Sequence, residues 1–315
     1  MKKLSKGIWC CFAWLCTAVT LAEPSPTAQL LLDIQQLSSE QMQGRETGTA
    51  GAAKARTYLK ERFRQLELTP WQGSYQSHFV YYKGRRQQSG INLIGWLPGC
   101  DEASGSIVIT AHYDHLGMRG NRVYYGANDN ASGVAVLLAI AGKLQLQAKP
   151  CLSHHYFFVA TDAEENGLHG SRAFVENPPV PLEQMLLNIN LDMLARAEPQ
   201  QQLFITGARR YPELRRHLQQ QPGELRLTFL THRGPQRRGS LLQEFDWPNS
   251  SDHAHFHRAG IPYLFFGGMP FADYHTAQDH WQSIKPEMLE QVFTVIWQTI
   301  LWVEASSALQ LRPTD

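Results

Sequence analysis

A chain of 315 residues that is 43% hydrophobic and 18% charged has the make-up of an ordinary globular protein of one or two domains, with ample core. Its 29 basic and 28 acidic side chains nearly cancel, for a net charge of +1. That balance gives no footprint of a nucleic-acid binder or of a protein drawn to a charged membrane surface.

The opening stretch, MKKLSKGIWCCFAWLCTAVTLAEPSP, departs from the rest. Lys2, Lys3 and Lys6 precede an apolar run over 7–22, and a polar, proline-bearing segment follows. This is the layout of a secretory signal peptide over residues 1–22, with Thr20-Leu21-Ala22 as the cleavage site, and it predicts export to the periplasm or the medium. An uncleaved anchor is the alternative, but the run is shorter than the ~20 residues of a membrane span. No stable span is expected after cleavage, and residues 23–315 are left as a single domain. Removing the leader takes away three lysines and no acid, so the net charge passes from +1 to −2. Cys10, Cys11 and Cys16 go with it. Cys100 and Cys151 remain, either as a disulfide or as two buried thiols.

Residues 28–68 carry helical spacing. Leu30, Leu31, Ile34 and Leu37 share one face, and Ala55, Leu59, Phe63 and Leu66 share another, with the glycine-rich GRETGTAG between them. Strands follow: INLIGWL (91–97), closed by the turn signal Pro98-Gly99, and SIVITAH (106–112), a continuous apolar run suited to burial on both faces. NASGVAVLLAIAGKL is apolar all round and reads as a buried helix, with Asn130 or Ser132 placed to cap it. HYFFVAT (155–161), LLNINLD (186–192) and PYLFFGG (262–268) complete the buried strands. YPELRRHLQQ predicts a helix, LRLTFL a strand, and HRGPQRRGSLLQEFDW a solvated surface loop. From 286 to about 309 an amphipathic helix is expected, with Met288, Leu289, Val292, Phe293, Ile296 and Ile300 inward and Pro286 in its first turn. Strands alternating with helices predict an α/β fold: a three-layer αβα sandwich around a mixed, mostly parallel sheet.

The buried strands share a habit at their carboxyl ends. One ends in His112-Tyr113-Asp114, one in TDAEENG (161–167), one in Leu191-Asp192, and one leads to Tyr274-His275; the loop GANDNASG adds Asp129. Open α/β sheets bind ligands at that edge. A lone histidine or aspartate at a strand end is ordinarily structural. Five along one edge, with carboxylates that would repel one another, call for bound cations. Mixed His, Asp and Glu donors suit zinc, with manganese or cobalt as substitutes.

These stretches, AHYDHLG, GANDNASG, AEENGLHGS, NLDM, SSDHAHF and YHTAQD, resemble the dizinc exopeptidases that include bacterial leucyl aminopeptidase, aminopeptidase Y and glutamate carboxypeptidase (its peptidase domain only), in the same order and at similar spacing. The resemblance implies two zinc ions: His112 and Asp192 on one, Glu165 and His275 on the other, Asp129 bridging both. It makes Glu164 the general base that takes a proton from the bridging water. Asp114 would hydrogen-bond the His112 imidazole and fix its tautomer. Asp252 would stand just outside the metal ligands, and Tyr274 would line the pocket or steady the oxyanion. His115 and His169 are expected near the pocket without binding metal, and His253, His255 and His257 in structural or supporting roles. Asp162 has no role and is expected to be a solvated or capping carboxylate.

The implied activity is that of an exported zinc aminopeptidase acting on peptides with a free N-terminus. The alternatives are a carboxypeptidase or dipeptidase of the same fold, with Arg209, Arg210, Arg233, Arg237 or Arg238 meeting a terminal carboxylate, and a glutaminyl cyclase, which uses one zinc. A non-catalytic binding domain fits least, since it would be expected to lose ligands or the base. One departure stands out: Asn128 precedes Asp129 where many relatives carry a second aspartate, which removes a negative charge beside one metal.

Overall fold

The computed structural model describes residues 26–100, 104–148, 150–196, 201–221, 223–230, 246–268 and 270–312. The expected signal peptide and most of the arginine-bearing stretch 232–247 lie outside them. Helices α1 (Pro26–Leu37) and α2 (Ala50–Gln65) flank the glycine-bearing break. The Thr49 hydroxyl accepts the Ala52 amide at 3.3 Å and so starts α2. Strands β1 (Thr69–Pro70), β2 (Gln76–Lys83), β3 (Arg86–Leu97), β4 (Ser106–His112), β5 (Met118–Arg119) and β6 (Arg122–Val123) follow, then α3 (Gly133–Gln147). The chain continues through β7 (His155–Thr161), α4 (His169–Glu176), β8 (Met185–Asp192), β9 (Gln202–Thr206), α5 (Pro212–Gln219) and β10 (Arg226–Phe229). Helix α6 (His253–Arg258), β11 (Tyr263–Gly267), α7 (Pro286–Glu304) and α8 (Ala308–Leu311) complete it.

The main sheet has the order β1-β3-β7-β4-β8-β11-β9-β10, with β2 also on β3. Its centre, β7-β4-β8-β11, is parallel, while β3 and β9 run against their inner neighbours. Alternate residues feed two cores. Ile107, Ile109 and Ala111 of β4 and Tyr156, Phe158 and Ala160 of β7 meet α1, α2, α3, α5 and α7 on one face. Val108, Phe157 and Val159 face the other side, closed by Phe174 of α4 and Phe256 of α6. The expected three-layer architecture is present.

Two strands carry no clear sequence signal. β2 pairs with β3 along its whole length but is mostly exposed, so it lacks an apolar run. β9 is five residues long and too short for periodicity to register. The C-terminal helix stops at Glu304; a separate turn, α8, starts behind a Ser307 and Gln310 capping box.

In register, His112 lies beside Thr161, and Asp192 beside Gly267. The carboxyl ends of the four central strands therefore share one edge. At the opposite edge, Cys100 and Cys151 form a disulfide, with Cα atoms 5.1 Å apart and a sequence separation of 51. It ties the turn after β3 to the lead into β7. Replacing both cysteines with serine is expected to lower unfolding stability by ~2–4 kcal/mol, the usual contribution of a bridge closing a loop of this order, as read by denaturant midpoint.

Candidate metal centre

At the shared edge, donor atoms from five segments converge. His112 Nε2 lies 3.4 Å from Asp129 Oδ1 and 3.4 Å from Asp192 Oδ1. His275 Nε2 lies 3.1 Å from Asp129 Oδ2 and 3.2 Å from Glu165 Oε2. Asp129 thus turns one oxygen towards each group. Ligand atoms around a tetrahedral zinc, each ~2.0–2.1 Å from it, stand about 3.3–3.4 Å apart. The spacing of both groups fits that geometry. Asp192 Oδ1 is also buried without a hydrogen-bond donor, as a lone pair reserved for a cation would be. Ligand atoms of His112, Glu164 and Asp192 fall within 4.8 Å of one another, and so do those of His115, Asp129 and Glu165.

The electrostatics explain why such a cluster needs cations. Burial pushes the Glu164 carboxyl well above its ordinary range, and Asp192, Glu165 and Asp252 add to the shift against the pull of His112. Burial likewise raises Asp192 and Asp252. Asp129 goes the other way: burial alone would raise it, but contacts with His112 and His275 outweigh that and hold it far down. For Glu165, burial and Asp129 push up, and His115 and His275 prevail downwards.

Neighbouring groups lock the donors in place. His112 Nδ1 donates to the Asp114 carbonyl at 3.1 Å, which fixes Nε2 as the nitrogen facing Asp129 and Asp192. The expected partner of the imidazole, Asp114, thus acts through its main-chain oxygen. The carboxylate stands 3.8 Å from Nδ1 and instead accepts the backbone amides of Glu164 at 3.1 Å and Glu165 at 3.3 Å. Asp279, missed in the sequence although it closes the quoted YHTAQD, accepts the amides of Asn128 and Asp129 at 3.0 Å each. Asn130 accepts the Gly133 amide at 2.9 Å, capping α3, and donates to the Leu191 carbonyl at 2.9 Å. Asn128 turns its side-chain oxygen to the Ala195 amide at 2.8 Å, so it ties the loop to the segment after β8. Asp192 Oδ2 accepts from Ser251, itself held by Asn190. The alternation Asn188, Asn190, Asp192 on one face of β8 is the signal that could have revealed this polar line.

Arg45, in the GRETGTAG break, is another residue the sequence did not single out. It is fully buried and donates to the carbonyls of Tyr113, Leu37, Tyr125 and Gly126 at 2.6–2.9 Å. Burial lowers it to about 10, so it stays charged at neutral pH, with Asp129, Asp279, Asp114 and Glu165 pulling the other way.

Asp252 is buried, accepts from Thr161, and lies close enough to Glu164 to raise it. Tyr274 stacks on His275 at 3.8 Å between centroids and lines the cleft with Met193, Trp247 and Phe265. Among the described residues that line this cleft, none is lysine or arginine. Arg209 and Arg210 line a different cavity, of about 420 Å³, which meets the cleft at Trp247. Arg233, Arg237 and Arg238 lie outside the described residues. His169 stacks on Tyr81 at 4.3 Å, away from the donors. Asp162 is neither solvated nor a simple cap: it is buried and accepts from Thr47 at 2.8 Å, Tyr113 at 2.8 Å and the Ile91 amide at 2.9 Å.

Comparison with known proteins now gives the class. Peptidase family M28 matches residues 92–300, and the chain belongs to that family. Aminopeptidase YwaD of Bacillus subtilis (strain 168) is 32% identical over 219 residues, 66% of this chain and 44% of that protein. The chain spans about half the length of the curated relatives it matches. The structure of BSAP, a zinc aminopeptidase from Bacillus subtilis, aligns with a TM-score of 0.68 over 90% of this chain and 97% of that one, at 19% identity. Glutaminyl cyclase of Porphyromonas gingivalis gives 0.68 over 88% and 98%, at 18% identity. At such identities the likeness speaks to the fold, which hosts more than one chemistry.

His253 supports the polar line behind Asp192 as a neutral imidazole. Nε2 donates to the Trp247 carbonyl at 2.7 Å, and Nδ1 faces the Asn190 amide at 3.3 Å. Burial lowers its pKa to about 3. The unfolded imidazole takes a proton near ~6.5, so below that pH the unfolded state binds more protons and stability falls as pH drops towards 3. Between pH 7.5 and 5.0 this group alone should cost roughly 2 kcal/mol. Urea titrations of the wild type and of His253→Gln at both pH values should show the variant losing less by about that amount.

Proposed function

We propose that the chain is an exported zinc aminopeptidase that removes N-terminal residues from peptides. The observation that carries this reading is the lining of the cleft: four carboxylates, two histidines and, among the described lining residues, no lysine or arginine. With two divalent ions bound the four carboxylates are offset, so the discrimination rests on what the described lining lacks, a cationic side chain to pair with a terminal carboxylate. The lining therefore favours the amino end over the carboxypeptidase alternative. The signal-peptide pattern of the sequence and the disulfide support export. Among the described residues no helix is long and apolar enough to cross a membrane.

In this reading His112 and Asp192 would hold one zinc and Glu165 and His275 the other, with Asp129, whose two oxygens face the two histidines, serving both. Manganese or cobalt would suit the same nitrogen and oxygen donors. Such ions supply polarisation of the scissile carbonyl and lower the pKa of a water towards ~7. Glu164, whose carboxyl lies beside the His112 and Asp192 donors, would take the proton of the attacking water and pass it to the leaving amine. Burial pushes its carboxyl up, which makes it a stronger proton acceptor than an exposed glutamate. Asp114, through the amides of Glu164 and Glu165, keeps base and ligand facing their separate partners. The apolar wall of Met193, Trp247 and Phe265 shields the exchange from bulk water. A glutaminyl cyclase of the same fold is the second reading; the presence of two donor groups favours the first.

Glu164→Ala should keep two metal equivalents and lose turnover by about 10²–10⁴-fold on aminoacyl anilides. Glu165→Ala should lose metal as well, measured by elemental analysis after dialysis. Full turnover in Glu164→Ala would remove Glu164 as the base. A panel of aminoacyl anilides, N-blocked peptides and N-terminal glutamine peptides, with and without chelator, should give chelator-sensitive release only where the N-terminus is free. Cyclisation of the glutamine peptides without anilide hydrolysis would move the assignment to the second reading.

A further inference from the structure

His115 follows His112 by three residues and is 1% exposed. Its ring lies against Gly126, where φ is +58° and an added Cβ would stand 2.6 Å from the ring carbons Cγ and Cδ2. The glycine therefore makes room for the imidazole. Nδ1 is 2.8 Å from Glu165 Oε1, while the other oxygen of Glu165, Oε2, faces His275 at 3.2 Å. Nδ1 stands 3.9 Å from Asp129 Oδ2. Nε2 is buried without a hydrogen-bond partner.

Two observations decide what this ring does. A separation of 2.8 Å is short for two ligand atoms of one tetrahedral zinc, which stand about 3.3–3.4 Å apart. It is instead the length of an N–H···O bond to a carboxylate. A proton on Nε2 would leave a buried donor unpaired and set the Nδ1 lone pair against the carboxylate. A proton on Nδ1 makes the contact favourable and leaves only an acceptor without a partner.

We infer that His115 is a positioning residue for Glu165: its Nδ1–H occupies Oε1 and leaves Oε2 as the single oxygen turned to the metal shared with His275 and Asp129. The inference rests on the two-zinc reading above. It assigns a dependence to one metal site only, because the contact of His115 is with Glu165, while His112 and Asp192 are held by Asp114 and Ser251.

The test is calorimetric titration of the metal-stripped full chain with zinc, with thermal melts to confirm folding. His115→Leu removes the donor, and His115→Gln puts an amide nearer the Nε2 position than the Nδ1 position. His115→Asn places an amide N–H near Nδ1. The wild type is expected to take two equivalents. The leucine and glutamine variants should keep one equivalent at wild-type affinity and weaken the other by about 10–100-fold, the usual effect of losing such a partner. The asparagine variant should recover most of the loss. Two equivalents at wild-type affinity in a folded leucine or glutamine variant would overturn the inference, and so would equal weakening of both sites or no recovery with asparagine. A wild type that takes fewer than two equivalents would overturn the two-zinc reading itself, and this inference with it.

Discussion

Carboxylates gathered away from water repel each other, and the cleft is organised around that repulsion. Asp129, Glu164, Glu165 and Asp192 converge at one sheet edge, with Asp114, Asp252 and Asp279 close behind. The fold answers it in three ways. Histidines sit between the acids at the spacing a bound cation would share. Backbone amides of Asn128, Asp129, Glu164 and Glu165 are turned onto the supporting acids Asp279 and Asp114, which lets uncharged groups stabilise charge. Arg45, wholly buried, places a fixed positive charge behind the same loops while its donors satisfy four carbonyls.

The parallel centre of the sheet was legible in the sequence because strands buried on both faces are largely apolar, as β4, β7 and β11 are; β8 keeps Leu187, Ile189 and Leu191 between its polar Asn188, Asn190 and Asp192. The candidate donors stood out by their number: one histidine or carboxylate after such a run is ordinarily structural, but five brought to one edge make a pattern. What escaped was what acts through the main chain. Asp279 works on two amides that any residues would supply, and Arg45 on carbonyls, so neither leaves a side-chain pattern to find. Asp114 was noticed as the partner of the His112 imidazole, but not that its carbonyl makes that bond while its carboxylate holds two amides. Asp162 looked like part of the acidic loop, yet its partners Thr47, Ile91 and Tyr113 come from three distant segments that only the fold brings together. β2 was illegible because an exposed edge strand imposes no apolar period.

Membership of peptidase family M28 sets the fold and the donor pattern, while the choice among its chemistries falls to the walls of the cleft. The described lining combines the carboxylates Asp129, Glu164, Glu165 and Asp192 with the apolar side chains of Met193, Trp247 and Phe265. The arginines that might have read the opposite terminus and that are described, Arg209 and Arg210, belong to a neighbouring cavity instead.

Asp114 links parts of the cleft that are distant in sequence. Its carbonyl orients the imidazole at the end of β4, and its carboxylate gathers the amides of the two glutamates after β7. A shift of one strand end relative to the other would have to break bonds to a single residue. The orientation of the His112 imidazole and the placement of Glu164 are therefore one mechanical coordinate, and their alignment is inherited from the register of β4 with β7.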